Sequence, residues 1–323
     1  MIRIAASLAL MILGLPLAAE PPAFDLPIGC TIGETCYIQN YVDAEPGPGA
    51  RDFRCNPLTY DGHKGTDFAL PTTAAMEAGV TVIAAAPGTV LGIRNDMPDG
   101  GFATDPASVA GKECGNGLVI DHGGGWHSQY CHMRRGSLRV KPGDSVVTGT
   151  PLGLVGLSGK TEFPHLHFAV RHDGDTVDPF DPENTATCAA APAQGLWHDT
   201  PPAYLPGGLL SAGFAPDIPT YDAIKTGEAA HDTLPSASGA LVLWGHAFGS
   251  RPGDVMRIEF AGPGGIRFAT DTPLDRPQAQ FFRAAGKRRP AAGWPTGTYS
   301  GTVTFLRDGQ PLGRKQATLN VTR

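Results

Sequence analysis

Two histidines one residue apart, His165 and His167, sit inside the apolar run Phe163-Pro164-His165-Leu166-His167-Phe168-Ala169-Val170. In a strand, residues i and i+2 project from one face, so the two imidazoles stand side by side while Leu166 is buried behind them. That geometry suits a metal ligand beside a second working imidazole, whereas a lone buried histidine is ordinarily a hydrogen-bonded core residue. The second chemical group lies in Tyr60-Asp61-Gly62-His63-Lys64-Gly65-Thr66-Asp67, where His63 and Asp67 are four apart with Gly62 and Gly65 between and around them. On a glycine-rich bend an imidazole and a carboxylate can converge on one point. His63, Asp67 and His167 would then offer nitrogen, oxygen and nitrogen donors and leave a fourth position to water, the arrangement of catalytic rather than structural zinc. No His-Glu-x-x-His occurs, which excludes the common helical zinc protease.

Positioning these groups falls to short β elements. Thr89 to Ile93 follows the turn Ala86-Pro87-Gly88, and Leu118 to His122 is separated from Trp126 to His132 by Gly123-Gly124-Gly125, which predicts a hairpin. Lys141 to Gly153 alternates glycine turns with single apolar residues, as tight bends in a compact sheet do. The chain has 323 residues, 41% of them hydrophobic and 17% charged, with 43 Gly and 30 Pro, a composition of many turns and short strands. The length exceeds what one core usually organises, so two domains are expected. The expected fold class is mainly β.

The start, Met1-Ile2-Arg3, an apolar stretch from Ile4 to Leu17 and then Ala18-Ala19-Glu20, has the form of a secretory signal peptide over 1–19, too short for a convincing membrane span. Export gives the six cysteines a meaning, because an even number in an oxidising compartment favours disulfides. The expected pairs are Cys30 with Cys36 around a short loop, Cys114 with Cys131 across the hairpin, and Cys55 with Cys188 joining the ends of one domain. A net charge of -6 without any basic run argues against nucleic acid as a partner.

Residues 20–49 read as a cysteine-containing N-terminal segment, 50–188 as the domain holding the chemistry, and 189–228, rich in Pro, Ala and Gly, as a linker or crossing segment. From 229 to 323, spaced strands at Ala240–Trp244, Asp254–Phe260, Gln278–Phe282, Gly297–Phe305 and Lys315–Val321 suit an immunoglobulin-like sandwich. It is expected to be non-catalytic, docking on the first domain or on a component outside the chain, or merely capping the first domain.

With these residues assembled, the segment from about 50 to 182 resembles the lysostaphin-type, or LytM-like, zinc endopeptidases that cut cell-wall peptide bridges. His63 and Asp67 match the early His-x-x-x-Asp of that family, His132 in Tyr130-Cys131-His132-Met133 its middle histidine, and His165 with His167 its late His-x-His. Gly115-Asn116-Gly117, Pro142-Gly143-Asp144 with Gly149, and Gly156-Leu157-Ser158-Gly159 agree in order. The resemblance implies a compact LytM-like sheet domain in which His63, Asp67 and His167 bind one zinc per chain, while His132 and His165 remain unligated beside it as the catalytic pair. It implies an enzyme that acts on peptidoglycan, and the signal segment makes that enzyme exported, periplasmic or secreted, with no stable membrane span once the signal is cleaved. Lys160-Thr161-Glu162-Phe163 and Ala169 depart from the family's usual small and acidic residues at those places, and the long loop from Asp96 to Cys114 is either a wall of the cleft or a solvated insertion. His122, His127 and His172 read as surface hairpin positions. Two other functions fit the same residues: a non-catalytic LytM-like binding module or activator of other cell-wall hydrolases, and a zinc peptidase acting on proteins or short peptides.

Overall fold

The computed structural model describes residues 20–183 and 195–323. In chain order the elements are β1 (Tyr37–Asn40), β2 (Thr66–Ala69), α1 (Thr73–Ala78), β3 (Thr81–Ile83), β4 (Gly88–Arg94), α2 (Gly101–Thr104), β5 (Asn116–Gly123), β6 (Trp126–Met133), β7 (Ser145–Val146), β8 (Pro151–Leu154), β9 (His165–His172) and β10 (Asp175–Val177). There follow β11 (Gly208–Ala215), α3 (Tyr221–Thr226), β12 (Thr233–Pro235), β13 (Ala240–Ser250), β14 (Val255–Ala261), β15 (Arg267–Pro273), β16 (Gln278–Arg288), β17 (Gly297–Arg307) and β18 (Gln310–Thr322). The fold is mainly β, as expected.

The first part is organised by an eight-stranded sheet in the order β1-β2-β9-β6-β5-β4-β7, with β10 paired to β9. Strand β9 lies between β2 and β6, which explains its sequence. Leu166, Phe168 and Val170 on one face are fully buried, and each such side chain contributes about 1.5–3 kcal/mol through burial. The hairpin predicted around Gly123 to Gly125 is present as β5 and β6. Disulfides join Cys30 to Cys36 and Cys114 to Cys131. The expected Cys55–Cys188 pair lies outside the described residues at Cys188, as does the signal segment 1–19. Among the described residues no helix is long and apolar enough to cross a membrane.

Two boundaries differ from the sequence reading. The segment 20–49 supplies β1, which pairs with β2, and Phe24, which bridges to Trp197 in the core of the first sheet. Burying Phe24 and Trp197 removes two large aromatic surfaces from water, which outweighs their separation along the chain. The stretch read as a linker holds strand β11, whose Leu209 and Phe214 enter the second core, and helix α3.

That second core lies between a three-stranded sheet, β11-β13-β16, and a five-stranded sheet, β12-β18-β17-β14-β15. All five expected strands are found, most of them longer than read. Strands β12 and β15 were missed: the first is short, and the second, Arg267–Pro273, sits at a sheet edge with no residue fully buried. A small cluster of Tyr37 and Ala69 from the first part with Leu210 and Phe248 from the second joins the two.

Candidate metal centre

Strand register explains how residues a hundred positions apart meet. Across β2 and β9, Asp67 stands opposite His167 and Ala69 opposite His165; across β6 and β9, Cys131 stands opposite His167. Asp67 and His167 therefore share a face of the sheet with the end of β6. His63 precedes β2 on the glycine bend and reaches the same point from the side. At Gly65 any side chain would collide, since a Cβ there would fall 2.7 Å from the His167 ring. Glycine lets the bend close onto the imidazole.

The donor atoms of His63, Asp67 and His167 all lie within 4.8 Å of one another. His63 Nε2 is 3.2 Å from Asp67 Oδ2 and 3.2 Å from His167 Nδ1, and His167 Nδ1 is 2.8 Å from Asp67 Oδ1. The Nδ1–H of His63 donates to the Tyr41 carbonyl oxygen at 2.7 Å, which commits that proton and turns the bare Nε2 toward the carboxylate. A buried lone pair facing a carboxylate oxygen at hydrogen-bond distance is repulsive unless a proton or a cation sits between them. The nitrogen and oxygen donor set suits zinc, so the residues fit the metal.

The other two expected residues adjoin the triad. The His132 and His165 rings lie tilted against each other with centroids 4.6 Å apart, and His132 lies 6.0 Å from the His167 ring. His132 Nδ1–H donates to the Ser158 carbonyl oxygen at 2.8 Å and His165 Nδ1–H to that of Phe163 at 2.9 Å, so in each ring Nε2 is the nitrogen not committed to the backbone. His165 Nε2 stands 3.4 Å from Asp67 Oδ1. All five expected residues thus converge. His63 and Asp67 are sealed, with side chains 1% and 3% exposed, while His167 retains 18%, so the centre opens on the His167 side.

Charge at the centre follows from burial and neighbours. Burial alone would raise the Asp67 carboxyl, but the imidazoles of His165 and His63, with hydrogen bonds from His165 and His167, hold it well below the usual carboxylate range. Burial opposes a proton on His63, yet Asp67 and the Tyr41 carbonyl win and raise its proton affinity. A divalent cation would exploit the same attraction. Burial, with His165 and His167 nearby, pushes His132 well below the ordinary histidine range, and burial also lowers His167 despite Asp67.

Sequence reasoning missed the residues that hold these side chains. Asn40 donates from Nδ2 to Asp67 Oδ2 at 2.9 Å, Tyr60 lies against His63 with centroids 4.5 Å apart, and Phe163 stacks on His165 at 4.5 Å. Asn116, fully buried, donates to the Met97 and Met133 carbonyls, and Ser158 Oγ donates to Met133, so the segment carrying His132 is pinned on both sides. The Asn of Gly115-Asn116-Gly117 was a legible signal; nothing near Asn40 was. Among the departures, Thr161 Oγ1 lies 3.1 Å from His165 Nδ1, so the unusual segment supports that ring. Cys131 is disulfide-bonded and offers no thiolate. The loop from Asp96 packs on the segment beside His165, with Leu157 N–H donating to Asp99. His122, read as a surface residue, is half-buried and bonded through both nitrogens, to the Pro87 carbonyl and to Ser128.

Residues 61–179 match the model of peptidase family M23. The chain is 32% identical over 127 residues to the peptidoglycan DD-endopeptidase ShyA of Vibrio cholerae serotype O1, covering 39% of this chain and 24% of that protein. It thus spans about a quarter of the length of the curated relatives it matches. Among solved structures it is similar to the catalytic domain of the prophage-encoded M23 protein EnpA from Enterococcus faecalis, at 26% identity over 49% of this chain and 94% of that one, TM-score 0.31. It is also similar to the catalytic domain of the antimicrobial peptidase lysostaphin from Staphylococcus simulans, at 21% identity over 43% and 85%, TM-score 0.29.

Proposed function

We propose that this chain, whose residues 61–179 carry the M23 peptidase match, is a zinc metalloendopeptidase that hydrolyses peptide bonds in peptidoglycan cross-bridges or stem peptides. The reading rests on one observation: two imidazoles and a carboxylate, drawn from a bend and two paired strands, present their donor atoms within 4.8 Å of one another. In this reading His63, Asp67 and His167 hold the metal. Bound there, zinc would acidify a water molecule and polarise the scissile carbonyl.

The remaining work belongs to the chain. Because the Nδ1 protons of His132 and His165 are committed to backbone carbonyls, each ring has Nε2 as its working atom. One can take a proton there from the attacking water, and the other, once protonated, can donate to the developing oxyanion or to the departing amine. The burial that keeps His132 neutral leaves that lone pair available. Asn40 keeps Asp67 turned toward His63, and Phe163 and Thr161 keep His165 from rotating away. The disulfides agree with an exported enzyme working outside the reducing cytosol. We assign the chemistry to the domain around 50–188 and a non-catalytic role to the immunoglobulin-like sandwich, which gains β11 from the stretch before 229.

Digestion of purified peptidoglycan, with mass analysis of the released fragments, tests the assignment. Cleavage at a peptide bond that stops on chelation and returns with zinc is the expected result. Sacculi left intact by zinc-loaded protein would refute it.

A further inference from the structure

A cleft of about 680 Å³ runs between the first sheet and the sandwich. Its floor includes Asn40, Tyr60 and Phe163, each of which touches the centre: Asn40 bonds Asp67, Tyr60 lies on His63 and Phe163 lies on His165. The opposite wall comes from the sandwich and from α3, which contribute Arg251, Arg276, Gln280, Tyr221 and Lys225. The walls are fixed to each other. Gln280 donates to the Tyr37 hydroxyl at 2.9 Å and to Gln39 Oε1 at 3.1 Å, Gln39 donates to the Ala279 carbonyl at 3.2 Å, and Arg251 donates to Asn56 Oδ1 at 2.6 Å. With the shared apolar cluster of Tyr37, Ala69, Leu210 and Phe248, these bonds make the cleft a built feature.

Its charge is opposite to that of the molecule. The chain carries -6, yet the cleft is lined by three cations, Lys225, Arg251 and Arg276, and by a single acid, Glu162. Lys225 is engaged with Asp222 at 3.0 Å. Arg276 is exposed, and among the described residues its guanidinium has neither an ion pair nor a hydrogen bond. A planar guanidinium with open donors beside aromatic rings is suited to a carboxylate held in a fork, and the volume suits a few peptide residues.

We propose that the sandwich forms the second wall of the substrate cleft and that its Arg276 binds a carboxylate on the peptide flanking the cleaved bond. The proposal rests on the peptidase reading and deepens it: the preferred substrate is an anionic peptide, and the sandwich helps to select it. Arg276 acts on substrate binding and takes no part in bond cleavage. The carboxylate is either the peptide's C-terminus or a side chain, and the two share the same chemistry.

The test uses the full chain, unmodified and as Arg276→Glu, Arg276→Ala and Arg276→Lys, against cross-linked muropeptides released from sacculi. The same muropeptides with carboxylates converted to carboxamides serve as the second substrate. Losing a charge-assisted contact should raise KM for native muropeptides by roughly ten-fold or more in the Glu and Ala variants, with kcat nearly unchanged and partial rescue by Lys. Zinc content should stay at the level of the unmodified chain, and amidated muropeptides should be handled alike by all four proteins. In a partly amidated pool, mass analysis of the uncleaved fraction identifies whether the C-terminal or the side-chain carboxylate is required. Unchanged KM in Arg276→Glu, or equal handling of native and amidated muropeptides by the unmodified chain, would overturn the proposal. If no muropeptide is cleaved at all, the peptidase reading fails separately, and calorimetric titration with native and amidated muropeptides still decides whether Arg276 binds the carboxylate.

Discussion

His132 is held with φ at 60°, in the left-handed region, and this makes a test of whether the fold strains its backbone to aim an imidazole. A residue with a Cβ costs about 1–2 kcal/mol there, and glycine does not carry that cost. Replacing His132 by Ala or by Gly deletes the same ring and the same bond to the Ser158 carbonyl, so the difference between the variants isolates the backbone. Glycine gives back roughly 0.5–1 kcal/mol through its greater freedom in the unfolded chain. His132→Gly should therefore be more stable than His132→Ala by about 0.5–1 kcal/mol. Urea unfolding followed by tryptophan fluorescence measures this, with four Trp as reporters. Both variants should keep their zinc and lose activity by roughly two to four orders of magnitude, the usual scale for an acid-base group. An Ala variant as stable as the Gly variant would refute the strain argument. Loss of metal from either would make His132 a ligand, and full activity in either would remove it from the chemistry.

Three further outcomes follow from the same geometry. His63→Ala and Asp67→Ala should each lose most of the bound zinc, because too few donors remain; full zinc by elemental analysis in both variants would rule out the triad as ligands. Asn40→Ala should weaken zinc binding by roughly 10–100-fold in competition with a chelator, since the Asp67 carboxylate loses the amide that orients it, and unchanged affinity would show that the bond to Asp67 does no such work. Asp178 is buried, which raises its carboxyl to about 7, and its Oδ1 accepts from the Phe180 N–H. Its folded pKa thus lies above its unfolded value, so its stabilising contribution is complete near pH 4 and is lost as pH rises toward 7, at up to ~1.4 kcal/mol per unit. Asp178→Asn should gain stability over the unmodified chain at pH 8 relative to pH 5; a constant difference across that range would contradict this account.

Residue type and spacing carried the chemistry. The i, i+2 histidines of β9 and the glycine bend around His63 are local patterns, and a strand's two-residue period makes a shared face readable without knowing its neighbours. The triple-glycine hairpin and the cysteine pairs that close the loops at Cys30–Cys36 and Cys114–Cys131 were legible for the same reason, each joining residues near in sequence. Other features were decided only in three dimensions. Asn40 becomes a partner of Asp67 because β1 pairs with β2 at that register, and no short-range pattern marks an asparagine for that task. Arg276 lines a cleft with Asn40, Tyr60 and Phe163, the residues that back the metal centre, because two hydrophobic cores pack through Tyr37, Ala69, Leu210 and Phe248, residues far apart in the chain. Burial also decided how the histidines differ: His63, His132 and His167, alike in sequence, acquire separate proton affinities from how deeply each is covered and which way Asp67 and the backbone carbonyls face. A sequence states which groups are available, but electrostatic interactions depend on distances between atoms, and those distances exist only once the sheet has closed.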